Sequence, residues 1–139
     1  MPANIFVDSN IWLYALIQNG IDDRHQQAAD LLIQLDFPIV NSQVIRETCS
    51  NLKKKSIMPE EQIRVLIHAW YQSCNVIHSN ASQHLLASHL RDNYSFSYWD
   101  SLIVAAALDA DCTTLFSEDM QHGQRIENVL TITNPFIRL

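Results

Sequence analysis

NIFVDSNIWLYALIQ, residues 4–18, changes character at Asp8. Asn4-Ile5-Phe6-Val7-Asp8 reads as a short buried strand. Asn10 to Gln18 follows as a buried helix through Ile11, Trp12, Tyr14, Ala15 and Leu16, ended near Gly20. A strand that runs straight into a helix is the opening half of a parallel βα unit. The alternation continues outward. Asp23 can cap a second helix through Ala28, Leu31, Leu32 and Leu35. Pro38-Ile39-Val40 is a minimal strand, and Ser42 opens a helix with Val44, Ile45, Cys49 and Leu52 inward, ending in Lys53-Lys54-Lys55. Pro59 suits the first position of a helix through Ile63, Leu66, Ile67 and Trp70. Val76-Ile77 is a third strand. Asn80 and Gln83 resemble a capping pair for a helix through Leu85, Leu86 and Leu90. Tyr98 to Ala110 is a strongly apolar helix, Thr113 to Ser117 a strand, and Val129 to Thr133 the last strand. The expected fold class is α/β, one domain over residues 1–139, with a central, mainly parallel sheet flanked by helices.

Composition narrows the function classes. The chain has 139 residues, 47% hydrophobic and 17% charged, which is globular and too apolar for disorder. Only Gly20 and Gly123 are glycines, so no Gly-rich phosphate cradle exists. Cys49, Cys74 and Cys112 are far apart and form no C-x-x-C pair, which fits reduced thiols in a cytoplasmic protein. No signal peptide is read at the N-terminus, and the apolar run 103–108 is too short for a membrane span. The formal net charge of −6 argues against a phosphate-backbone binder unless several acids sit in one cation-neutralised cluster.

Ligands of an open parallel sheet bind beyond the carboxyl ends of the strands. Asp8 closes the first strand, and Glu118 and Asp119 follow the strand that ends at Ser117. If the two strands are neighbours, Asp8 and Asp119 face one cleft. Glu47 and Asp100 could reach it from helices, and Trp12 and Trp99 could wall it. Clustered carboxylates suit Mg²⁺ or Mn²⁺, which polarise a phosphodiester and activate water, so no protein nucleophile is needed. Each acid also has a plain structural reading. Asp8 could cap the first helix, Ser97 and Asp100 match a capping box, and Ser117 to Asp119 could be a simple turn. Glu47 lies off the apolar face of its helix, and the pattern alone reads it as solvated. The six histidines show no ligand spacing; His122, close after Asp119, could touch substrate, and the lysine run, which suits the end of its helix, could with Arg46 contact phosphates.

The chain resembles the PIN-domain ribonucleases, and among them VapC-like toxins, through four motifs in order. Val7-Asp8-Ser9-Asn10-Ile11 resembles the opening strand motif, and Ser42-x-x-x-x-Glu47 the helix that carries a conserved Glu. Tyr98-Trp99-Asp100-Ser101-Leu102-Ile103-Val104-Ala105-Ala106 resembles the third motif, and Leu115-Phe116-Ser117-Glu118-Asp119-Met120-Gln121-His122-Gly123 the fourth. The resemblance implies a three-layer fold and an endoribonuclease whose Asp8, Glu47, Asp100 and Asp119 hold Mg²⁺ or Mn²⁺, supported by Asn10 and Ser117. It also implies a homodimer and a cognate antitoxin, and it brings Glu47 into the site against the helical pattern. Glu118 could share the role of Asp119. Two other readings stand beside this one: a non-catalytic binding module of the same fold, and a phosphatase with an aspartyl nucleophile, for which Asn10 replaces the second Asp of D-x-D.

Overall fold

The computed structural model describes residues 4–18, 20–55 and 57–137. In chain order the elements are β1 (Asn4–Val7), α1 (Ser9–Leu16), α2 (Arg24–Gln34), β2 (Ile39–Asn41), α3 (Ser42–Lys54) and α4 (Glu60–Ser73). They continue with β3 (Asn75–Ile77), α5 (Ala81–Asn93), α6 (Tyr98–Asp109), β4 (Cys112–Phe116), β5 (Arg125–Ile126) and β6 (Leu130–Thr133). The sheet runs β3-β2-β1-β4-β6-β5, parallel throughout except where β5 pairs antiparallel with β6.

This order places the site. The chain builds outward from β1 to β3, then returns to lay β4 on the other side of β1, with Val7 opposite Phe116. The direction of winding thus reverses between β1 and β4, and a crevice opens at their carboxyl ends. The expected condition is met: the strands that lead to Asp8 and Asp119 are neighbours.

Alternation along the strands divides the core into two layers. Phe6 and Leu115 face a cluster that includes Val44 of α3, Trp70 of α4, Leu90 of α5 and Ile103 to Ala107 of α6. Val7, with Ile5 and Phe116, faces Ile11 and Ala28 on α1 and α2. Six residues of α6 are buried, among them three consecutive alanines, whose small side chains fit a helix enclosed on nearly all sides.

Several local expectations change. Helix α2 starts after Asp23, but the carboxylate that accepts the Arg24 N–H is Asp22, at 3.0 Å. Pro59 is the N-cap of α4 and not its first residue. Asn80 accepts the Gln83 N–H, whereas the Gln83 amide turns to the His78 carbonyl and Asp109 instead of back to the cap. Trp12 does not wall the cleft: its indole N–H donates to the Val7 carbonyl and its ring meets Trp70 edge-on in the core. Strand β5 has no counterpart in the sequence pattern. It is joined to β6 by a tight turn with Glu127 and Asn128 both in the left-handed region and Val129 N donating to the Ile126 carbonyl. Among the described residues no helix is long and apolar enough to cross a membrane.

Candidate active site

Asp8 leaves β1 at the sheet's carboxyl edge, tied there by its own N–H to the Phe116 carbonyl of β4. It is both a cap and a member of a cluster. Its Oδ1 accepts the Ser9 N–H at 2.8 Å and so opens α1, while its Oδ2 accepts the Ser117 hydroxyl at 2.9 Å. Ser117 is fully buried one residue past β4.

Asn10 joins the two sides. Its amide nitrogen donates to Asp8 Oδ2 at 3.3 Å, Ser117 Oγ at 3.3 Å and Asp119 Oδ2 at 3.1 Å. Its oxygen accepts the Glu118 N–H at 3.0 Å, which fixes the orientation of the amide. One neutral donor thus stands between two carboxylates, and the Ser117 hydroxyl is bonded both to this amide and to Asp8.

Glu47 comes from α3. Its two oxygens accept the Ser9 hydroxyl at 2.8 Å and the Gln43 amide at 2.9 Å. It is half-buried and faces the cleft, not solvent. The helical wheel misplaces it because α3 packs against α1 as well as against the core, so a second, polar face is also covered. Ser9 and Gln43 are site residues that sequence reasoning misses, although the spacing of Gln43 and Glu47, one turn apart on a helix, is a usable signal. Asp100 enters from the first turn of α6, where Ser97 Oγ accepts its N–H at 3.1 Å. Asp100 and Asp119 line one small cavity with Phe96, Met120 and Gln121.

Electrostatics bind these four acids into one unit. Burial pushes the Asp8 carboxyl up to about 7; hydrogen bonds from Ser9 and Ser117 oppose the rise, and the charges of Glu47 and Asp119 add to it. Asp100 is raised chiefly by burial, opposed by Ser97, with Asp119 and Glu47 again repelling it. Among the described residues none of the four is ion-paired. Arg24 is committed to Asp22 and Glu118, at 2.6 and 3.2 Å. That pairing, together with the Tyr14 hydroxyl on Glu118 at 2.7 Å, separates Glu118 from the cluster and leaves Asp119 as the acid of the fourth strand's end.

The donors are hard oxygens, with no thiolate or imidazole among them, which fits Mg²⁺ or Mn²⁺ rather than a softer metal. Among the described residues no three acid, imidazole or thiol groups close into a ready-made cage. The carboxylates are spaced by Asn10, Ser9 and Ser117. The two outlying candidates lie elsewhere. Arg46 lines a separate cavity beside α3, and His122 Nδ1 accepts the Asn134 N–H at 3.0 Å, a bond that holds the loop after β6.

The PIN domain family model matches residues 5–125, a span that holds all four acids. The chain belongs to the PIN domain family. A comparison with curated protein sequences gave no match. Among solved structures, the fold resembles Mycobacterium tuberculosis VapC20, a toxin that cleaves the sarcin–ricin loop, with a TM-score of 0.65 and 22% identity over 84% of this chain and 92% of that one. It also resembles a chain of a toxin–antitoxin complex from Klebsiella pneumoniae, with a TM-score of 0.71 and 16% identity over 96% and 98%. A third likeness is to VapBC2 of Rickettsia felis bound to a DNA fragment from its promoter, with a TM-score of 0.65 and 21% identity over 94% and 97%. At these identities the likeness is one of fold.

Proposed function

We propose that this PIN-domain protein is a divalent-metal-dependent endoribonuclease and the cytoplasmic toxin of a toxin–antitoxin pair. The observation that carries the reading is the convergence of Asp8, Glu47, Asp100 and Asp119, without a paired cation among the described residues, at the switch point of the sheet. Asp8 and Asp100 are each repelled by Glu47 and Asp119, a cost that a bound cation relieves. Bound Mg²⁺ or Mn²⁺ would supply Lewis-acid polarisation of the phosphodiester and a lowered pKa for water.

The chain's own residues do the rest. Asp8, Glu47, Asp100 and Asp119 hold the ion. Ser9 and Gln43 aim Glu47, Ser117 aims Asp8, and the Asn10 amide keeps Asp8 and Asp119 at a set spacing. An ionised acid of the set can take the proton of the attacking water. Partners follow the same reading: an RNA substrate, a homodimer, and an antitoxin whose cationic side chain would enter the acidic cleft in place of the metal. The Klebsiella and Rickettsia structures support a partner of this kind.

The test is cleavage of single-stranded RNA by the purified chain in Mn²⁺, in Mg²⁺ and in excess chelator. Cleavage with either metal and none in chelator is expected. Undiminished cleavage in chelator contradicts the reading, and metal binding without cleavage indicates a non-catalytic binding module.

A further inference from the structure

Beside the acid cluster lies a cavity of about 150 Å³, bounded by the first turns of α3, α5 and α6. Its lining includes Ser42, Gln43, Arg46, His84, Tyr98 and Trp99, and it contains no acid. On a chain of net charge −6 it is an acid-free recess next to the most acidic point of the molecule. Gln43 links the two places directly: its amide donates both to Glu47 Oε1 and, at 3.3 Å, to the Trp99 carbonyl. Trp99 is in turn the residue before Asp100.

The aromatic wall is exposed and braced. Trp99 is 63% exposed and Tyr98 51%, which is costly for two large rings with nothing to cover them. The rings meet edge-on at 5.1 Å, and the other side of Tyr98 is held by the Arg91 guanidinium, 4.7 Å from the ring centre. Arg91 is itself bonded to Ser101 on α6. The rings are therefore ordered in advance, and a ligand that stacks on them loses little further freedom. Arg46 supplies the one permanent cation in the lining, and the Ser42, Ser79 and Gln43 side chains supply polar groups. A cavity of about 150 Å³ has room for one six-membered ring, as benzene fills an engineered protein cavity of that size.

A planar ring with hydrogen-bonding edges on an anionic backbone is an unpaired nucleobase. We infer that this recess receives one unpaired base of the RNA, next to the nucleotide whose phosphate meets the acid cluster. Trp99 provides the stacking surface and Arg46 contacts base or phosphate. The inference rests on the nuclease reading for its orientation but not for its binding chemistry. A second cation extends the path. Lys55, at the far end of α3, lines the cavity that holds Asn10 and Asp119 on the other side of the cluster. Arg46 and Lys55 are about 13 Å apart along the helix direction at 1.5 Å per residue. The strand would thus cross Glu47 between two cations and be selected for single-strandedness, because a paired base cannot enter the recess.

Binding and cleavage test this separately. Trp99 is the exposed tryptophan, while Trp70 is buried and Trp12 half-buried, so a stacking base quenches chiefly Trp99 emission. The full chain, in chelator to prevent turnover, is titrated with RNA tetranucleotides of uridine, cytidine or adenosine. Saturable quenching is expected with at least one of them, with the dissociation constant raised about tenfold in Arg46→Ala. In the Mn²⁺ cleavage assay Trp99→Ala is expected to raise KM about tenfold with kcat within about twofold, and Trp99→Phe to restore most of the loss. The Mn²⁺-induced rise in Tm should be unchanged in both variants, which separates a lost base contact from a damaged metal site. No quenching by any tetranucleotide, together with wild-type KM in Trp99→Ala, overturns the subsite and leaves the nuclease reading standing. Quenching sensitive to Arg46 in a protein that never cleaves RNA supports the subsite and overturns the nuclease reading.

Discussion

Asp8 carries two duties that look like alternatives in the sequence. A cap needs an acceptor beside the Ser9 N–H, and a metal ligand needs an ionised oxygen in the cleft; its two oxygens divide the work. The same division explains Asp100, which sits inside a cap formed by Ser97 while its carboxylate lines the cavity with Asp119. The choice between cap and ligand is not decidable from spacing, because both roles use the same residue types at a helix start. Burial gives Asp8 a measurable signature. Its folded pKa of about 7 lies above the unfolded value near 3.9, so the folded state binds the proton more tightly. The metal-free protein should therefore be most stable below about pH 4 with respect to this group and lose stability as pH rises from about 4 to 7. The loss is on the order of a few kcal/mol, constant above that window. Mn²⁺ needs the ionised form, so its stabilising effect should grow across the same window. Urea denaturation at pH 5 and pH 8, with chelator and with Mn²⁺, checks both slopes. An Asp8→Asn variant that keeps the full metal-free slope would assign it to other groups.

At the scale of elements, most helices are legible because apolar residues recur at helical spacing and polar caps mark their starts, as Asn80 does for α5. The parallel strands are legible as short apolar runs between them. Strand β5 is not, because two residues carry no period and its turn lacks glycine. A hairpin turn with two successive left-handed residues favours Asn-Gly, and in this three-residue connection Glu127-Asn128 takes those positions. Glu127 is held in that conformation by the Tyr94 hydroxyl, which accepts its N–H at 3.1 Å. Asn tolerates the left-handed region better than Glu. Glu127→Asn should therefore stabilise the protein by about 0.5–1 kcal/mol, read as a rise in Tm with metal response unchanged. A fall in Tm would mean that the Glu127 carboxylate contact to Tyr94, at 3.3 Å, outweighs the backbone strain. Glu47 shows the opposite failure. A one-face wheel is a poor guide to α3, because α1 covers a second face of it, and only the resemblance to a known family brings that acid into the site.

For the whole molecule, the net charge of −6 is the main objection to a nucleic-acid enzyme. The structure places four of the acids together and leaves Arg46 and Lys55 in cavities on either side of them. Exposed apolar side chains on α4 and α5, among them Val65, Tyr71 and Leu85, suit the proposed homodimer. Light scattering at micromolar concentration should give the dimer mass, and Val65→Asp or Leu85→Asp should shift it toward the monomer; a monomer in the wild type removes that part of the proposal. The central claim is that Asp8, Glu47, Asp100 and Asp119 form one metal site that cleaves RNA. Asp100→Asn tests it most directly, because Ser97 and not Asp100 is the cap of α6, so the change leaves the cap in place and removes one charge from the cluster. The measurement is a melting curve with and without Mn²⁺ on wild type and variant, paired with RNA cleavage. The expected result is a metal-free variant at least as stable as wild type, a reduced Mn²⁺-induced rise in Tm, and cleavage lower by orders of magnitude. A variant that melts lower without metal yet cleaves RNA like wild type would contradict the account.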